Sequence, residues 1–81
     1  MELLQLKYFV TVARLEHMTK AAQELRIAQP ALSKTISRLE EDLGTPLFER
    51  QGRQIRLNAY GKAFLARAGA ALQLLEEGRR E

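Results

Sequence analysis

Ala21-Ala22-Gln23-Glu24-Leu25-Arg26-Ile27-Ala28-Gln29-Pro30-Ala31-Leu32-Ser33-Lys34 is the stretch whose reading decides the fold. Ala21, Ala22 and Leu25 give a short helix a narrow apolar face, and the small alanines let another helix approach closely. Pro30 then opens a second helix, because the N–H that proline lacks has no intrahelical partner at a helix start. Leu32, Ile36, Leu39 and Leu43 follow at helical spacing, the stripe of a helix held by one side. Gly44 is suited to end it in a left-handed conformation, and Pro46 blocks continuation. Two helices, a tight connection and a one-sided second helix predict a helix-turn-helix.

The rest of the chain fits around that pair. Leu3, Leu6, Phe9, Val10 and Ala13 predict a first helix over 3–15. Thr19 before Lys20-Ala21-Ala22-Gln23 is an N-cap signal, which predicts helix 2 over 20–26. Leu47-Phe48-Glu49-Arg50 and Ile55-Arg56-Leu57 read as short strands around a turn containing Gly52. Asn58 is placed to cap a last helix over 59–78. The predicted fold class is mainly α: a winged helix-turn-helix with a three-helix core, a two-stranded wing and a long C-terminal helix. The predicted division is a DNA-binding unit over 1–58 and a linker and dimerisation helix over 59–81.

With the leucine stripe inward, Pro30, Ser33, Lys34, Ser37 and Glu41 face outward at about 100° per residue. Gln29 stands at the helix entrance. Gln pairs with adenine, Lys reaches guanine acceptors, and Ser donates or accepts toward a base or phosphate. Lys34 and Arg38 precede Glu40, Glu41 and Asp42, although acids at a helix C-terminus oppose its dipole. Either the N-terminal half of this helix enters a polyanion, or these are solvated surface charges. Arg50, Arg53 and Arg56 around Gly52 suit phosphate or a minor groove. The alternative is a solvated turn.

The composition permits this reading and excludes others. The chain has 81 residues, 46% of them hydrophobic and 28% charged, with a net charge of +3 and no Cys. That is one mildly basic domain without disulfides or thiolate metal sites. No apolar run approaches the ~18 residues of a membrane span, so a cytoplasmic protein is expected. His17 has no second His or Cys beside it. Glu40, Glu41 and Asp42 fan apart on a helix rather than converge. The five glycines are scattered, with no phosphate loop. No catalytic residue, cofactor or metal is expected.

The last helix has more apolar surface than a three-helix core covers. Phe64, Ala68, Ala71 and Leu75 form one stripe, and Tyr60, Ala63, Ala70 and Leu74 another. A homodimer through this helix would place two reading helices on one duplex; packing on a further domain is the alternative. A rival for the whole chain is a helical dimerisation module whose basic wing docks an acidic protein.

Leu6-Lys7-Tyr8-Phe9, Thr19-Lys20-Ala21-Ala22, Ala28-Gln29-Pro30-Ala31-Leu32-Ser33, Ile36-Ser37-Arg38-Leu39-Glu40, Asp42-Leu43-Gly44 and Leu47-Phe48-Glu49-Arg50 together resemble the N-terminal DNA-binding domain of LysR-type bacterial transcriptional regulators. The resemblance implies a homodimer on a pseudo-palindromic operator in double-stranded DNA. It implies that Gln29, Pro30, Ala31, Ser33 and Lys34 face the major groove and that Arg50 and Arg53 of the wing contact the backbone or minor groove; Ser37, from the outward stripe, and Thr19, at the start of helix 2, complete the expected DNA-binding set. Dimerisation falls to Tyr60, Phe64, Ala68, Ala71, Leu72 and Leu75. An effector domain and tetrameric assembly are also usual in such regulators, and the effector domain is expected to lie outside these 81 residues. Ala28 stands where Ser is common, Lys34 where Arg is frequent, Asn58 where Thr is usual, and Tyr60 where a small or acidic residue is more common. The first two bear on base preference, since lysine offers a point charge where arginine offers a fork.

Overall fold

The computed structural model describes residues 1–52 and 54–81. The order is α1 (Leu3–Leu15), α2 (Met18–Leu25), α3 (Gln29–Leu43), β1 (Phe48–Gln51), β2 (Gln54–Leu57) and α4 (Ala59–Arg80). β1 and β2 form an antiparallel hairpin in which Phe48 pairs with Leu57 and Gln51 with Gln54. The architecture is the predicted mainly helical one, with α1, α2 and α3 around a common core and the hairpin and α4 closing it.

Phe9 is the centre of that core. It is fully buried and packs on Phe48 of β1 and Phe64 of α4, with ring centroids 5.7 and 5.4 Å apart. One α1 side chain thus joins the wing and the last helix. Burying such a ring contributes about 1.5–3 kcal/mol, and edge-tilted aromatic pairs add to it. Val12, Ala21, Leu32, Leu39 and Leu47 complete the fully buried set. Leu43, the last residue of the expected stripe, is only half-buried. It lies in the final turn of α3, where the core ends.

The helix start that departs most from the sequence reading is that of α2. α2 begins at Met18, and its N-cap is His17 rather than Thr19. The His17 Nδ1 accepts the Lys20 N–H at 3.1 Å, so imidazole does the work usually given to a hydroxyl or carboxylate. The break before it is made by Glu16, which closes α1 in the left-handed conformation at φ 48°. α2 ends in the same way at Arg26, φ 58°, where the Ile27 N–H reaches back to the Ala22 carbonyl at 3.0 Å. This is the tight connection between α2 and α3, built without glycine. α3 begins at Gln29, so Pro30 sits in its first turn, and Gly44 ends it at φ 77°.

The entry to α4 is fixed by several bonds. The Asn58 side chain accepts the Gly61 N–H at 2.7 Å and donates to the Pro46 carbonyl at 2.9 Å. Gly61 is buried against Leu47: a Cβ there would lie 2.1 Å from the Leu47 carbonyl oxygen. Gly69, two turns along the same helix, has nothing within 4 Å of such a Cβ. The same substitution therefore has opposite signs. Gly61→Ala is expected to lower the unfolding free energy by about 1–3 kcal/mol through overpacking. Gly69→Ala is expected to raise it by about 0.5–1 kcal/mol through reduced backbone entropy. Urea denaturation of the two variants checks both signs.

Candidate nucleic-acid interface

α3 presents one face to the core and one to solvent. Leu32, Ile36 and Leu39 are buried. Gln29, Pro30, Ala31, Lys34, Ser37 and Arg38 are exposed, and Ser33 is half-buried. The helix cannot rotate without expelling its leucines, so the outward residues are held in a fixed order. Two of them are hydrogen-bonded to each other: the Gln29 Nε2 donates to the Ser33 Oγ at 3.1 Å. The Ala28 N-cap makes no side-chain bond, but its carbonyl accepts the Ala31 N–H at 3.0 Å and the Leu32 N–H at 3.2 Å. Thr19 is exposed in the first turn of α2.

The acids at the end of α3 have intramolecular work that the sequence did not show. The Glu40 Oε2 accepts the Leu47 N–H at 2.6 Å, and Asp42 pairs with the Met1 amine at 3.2 Å. The charge order along α3 therefore needs no polyanion to account for Glu40; its carboxylate holds the approach to the wing. A second carboxylate does the same on the other strand. The Glu16 Oε2 accepts the Leu57 N–H at 2.9 Å, tying the end of α1 to β2. The hairpin is thus anchored by one acid at each base.

Strand alternation sorts the arginines. Phe48 and Arg50 share one face of the hairpin with Ile55 and Leu57, and Arg56 lies on the other. Arg50 lines a cavity of about 230 Å3 with Met18, Ile36, Glu40, Phe48 and Ile55. Arg56 lines a groove with Glu16, His17, Lys20 and Gln54 at the start of α2. Arg53 lies outside the described residues. Lys20 and Arg56 therefore belong to the basic surface beside α2. Arg56 is visible in the sequence as one of three wing arginines, but its placement beside Lys20 depends on the register of the hairpin.

The expected dimer residues divide. Ala68 is 3% exposed and is used inside the chain, with Phe64 half-buried against Phe9. Ala68 is thus removed from the set available to a second copy by its packing in the core. Tyr60 and Ala71 are exposed, Leu72 is half-buried, and Leu74 and Leu75 are 67% and 56% exposed. Leu72 and Leu75 line a groove with Leu3, Lys7, Glu76 and Arg79 between α1 and the end of α4. Hydrogen bonding from Arg79 holds the Glu76 carboxyl below the usual carboxylate range, against some desolvation and with help from Arg80 and the charge of Lys7.

Comparison with known proteins places this geometry. Residues 3–62 match the family described as bacterial regulatory helix-turn-helix proteins, lysR family. The uncharacterised HTH-type transcriptional regulator YybE of Bacillus subtilis (strain 168) is 57% identical over 81 residues, all of this chain and 28% of that protein. The HTH-type transcriptional regulator BudR of Klebsiella aerogenes is 53% identical over 74 residues, 91% of this chain and 52% of that one. The chain thus spans between about a quarter and a half of these relatives. The crystal structure of the CbnR DBD–DNA complex superposes with a TM-score of 0.91 at 44% identity, covering 99% of this chain and 93% of the other. The BenM DBD/benA site 1 DNA complex gives a TM-score of 0.94 at 41% identity, covering 99% and 93%.

Proposed function

The chain belongs to the LysR family of bacterial regulatory helix-turn-helix proteins, and from that premise we propose that it is a sequence-specific reader of double-stranded DNA that regulates transcription and catalyses nothing. The observation that carries this is the outward face of α3: Gln29, Pro30, Ala31, Lys34 and Ser37 are exposed, with Ser33 half-buried among them, on a helix whose other side is locked in the core. The solved relatives of the same fold include DNA complexes. In this reading Gln29, Pro30, Ser33 and Lys34 meet base edges in the major groove. Arg50 and Arg53 of the wing meet phosphate or the minor groove, and Thr19 meets phosphate at the start of α2. Lys20 and Arg56 extend the same basic surface. Residues 1–58 form the reader and 59–81 the dimerisation helix. Among the described residues no helix is long and apolar enough to cross a membrane, and a cytoplasmic site of action follows from the DNA partner.

A homodimer through α4 is part of this proposal. The exposed Leu74 and Leu75, with Tyr60, Ala71 and Leu72 on the same helix, are the surface that supports it. Exposed leucines in this number favour covering by a second apolar surface. Two copies would present two reading helices to a two-fold-symmetric site.

The experiment is a duplex-binding titration at two salt concentrations, using a site selected from a random library and a scrambled control. Gln29→Ala and Lys34→Ala are expected to lose about 1–3 kcal/mol of preference for the selected site. Arg50→Ala is expected to weaken both duplexes alike and to reduce the salt slope by about 1. Absence of binding even at low salt contradicts the proposal. For assembly, sedimentation is expected to show a wild-type dimer and a Leu75→Glu monomer; a wild-type monomer at high concentration contradicts the dimer.

A further inference from the structure

We propose that His17 is an acid-sensitive cap, and that protonation of its imidazole releases the first turn of α2. The His17 Nδ1 lies 3.1 Å from the Lys20 backbone nitrogen. A backbone N–H only donates, so the direction of this bond is fixed and Nδ1 carries its lone pair. The cap therefore requires the neutral ring with its proton on Nε2. The imidazolium has a proton on both nitrogens and no acceptor. Protonation sets two donors against each other, and the Lys20 N–H loses its partner. The contribution of this bond to stability is thus complete at high pH and is lost as pH falls through the histidine range.

Little else holds the turn that carries Thr19 and Lys20. α2 has 8 residues, with no acid in its first turn and no basic residue in its last. A helix this short depends on its contacts and caps. Its N-terminus also carries partial positive charge, which disfavours a cation beside it. His17 shares a groove with Lys20, with Arg56 of β2 and with Glu16 of the preceding turn. Two cations oppose a further positive charge there, and the Glu16 carboxylate, which accepts the Leu57 N–H, favours it. Arg14 at the end of α1 is paired with Glu24 of α2. Glu49 stands opposite Arg56 across the hairpin. The cap bond, the helix dipole and the two cations of the groove act in one direction, and Glu16 acts against them. The composition isolates the effect, because His17 is the only histidine and the chain has no Cys. No other side-chain type in it ordinarily changes charge between about pH 5 and 8. The N-terminal amine does, and it pairs with Asp42 of α3.

The test is urea denaturation of the whole chain and of His17→Asn at about pH 5 and about pH 8. Asparagine caps a helix without a titratable group. Relative to His17→Asn, the wild-type unfolding constant is expected to rise about fivefold on acidification, the worth of an ordinary N-cap. Titration of the Met1 amine is common to both chains and cancels. A second measurement needs only the wild type. The ring 15N shifts at about pH 8 are expected to place the proton on Nε2, and the Lys20 amide shift to follow protonation of the ring. The proposal is overturned if the two chains respond alike to pH. It is also overturned if the wild type gains stability relative to His17→Asn on acidification, which is the result of a Glu16 charge that outweighs the cap. A proton on Nδ1 of the neutral ring, or a Lys20 amide that ignores the titration, overturns it as well.

Discussion

Leu47 is the point on which the three parts of this molecule converge. Its side chain is fully buried. Its N–H is held by the Glu40 carboxylate at the end of α3, and its carbonyl accepts the Asn58 N–H at 3.0 Å at the threshold of α4. The same carbonyl sits so close to Gly61 that no side chain fits there. One residue's backbone is thus tied to the reading helix, to the start of the wing and to the first turn of the last helix. Unsatisfied buried backbone groups are costly, so satisfying both groups of Leu47 at once leaves these elements little freedom to move independently.

That knot gives the outward face of α3 its consistency. A reading helix is useful only if its polar side chains keep a fixed relation to the elements that grip the duplex backbone. Here α3 is fixed to the wing through Glu40, and the wing is fixed to α1 through Glu16. Phe9 joins α1, the wing and α4 from within. The surface carrying Gln29, Lys34 and Ser37 and the surface carrying Lys20 and Arg56 therefore belong to one body. Local mobility is left to the side chains, where the Gln29–Ser33 pair restricts it further.

Local rules made much of this legible in the sequence. The leucine stripe, Gly44, Pro46 and Asn58 each act through neighbours within a few residues, and α3 and α4 begin within one residue of their predicted starts. α2 was misplaced because its cap is an imidazole and the turn before it is a left-handed Glu16, neither of which is a usual boundary signal. The tasks of Glu16, Glu40 and Gly61 were hidden for another reason. Each is defined by a partner in another element or connection, Leu57 for Glu16 and Leu47 for Glu40 and Gly61, and charge order or glycine spacing carries no trace of it. Ala68 looked like interface because composition does not say which of several apolar faces the core takes first. Of the candidate site, the outward residues of α3 follow from helical periodicity, whereas the separation of Arg50 from Arg56 needs the hairpin register.

The central claim is that α3 reads base sequence while the wing and the start of α2 grip the backbone. An amide NMR titration of the 15N-labelled chain with its selected duplex tests it most directly, at a salt concentration where a scrambled duplex no longer binds. The account predicts shifts concentrated at residues 28–37, with smaller ones at Thr19, Lys20 and the wing, and none for the scrambled duplex. Shifts confined to α4, or equal shifts with both duplexes, would contradict it.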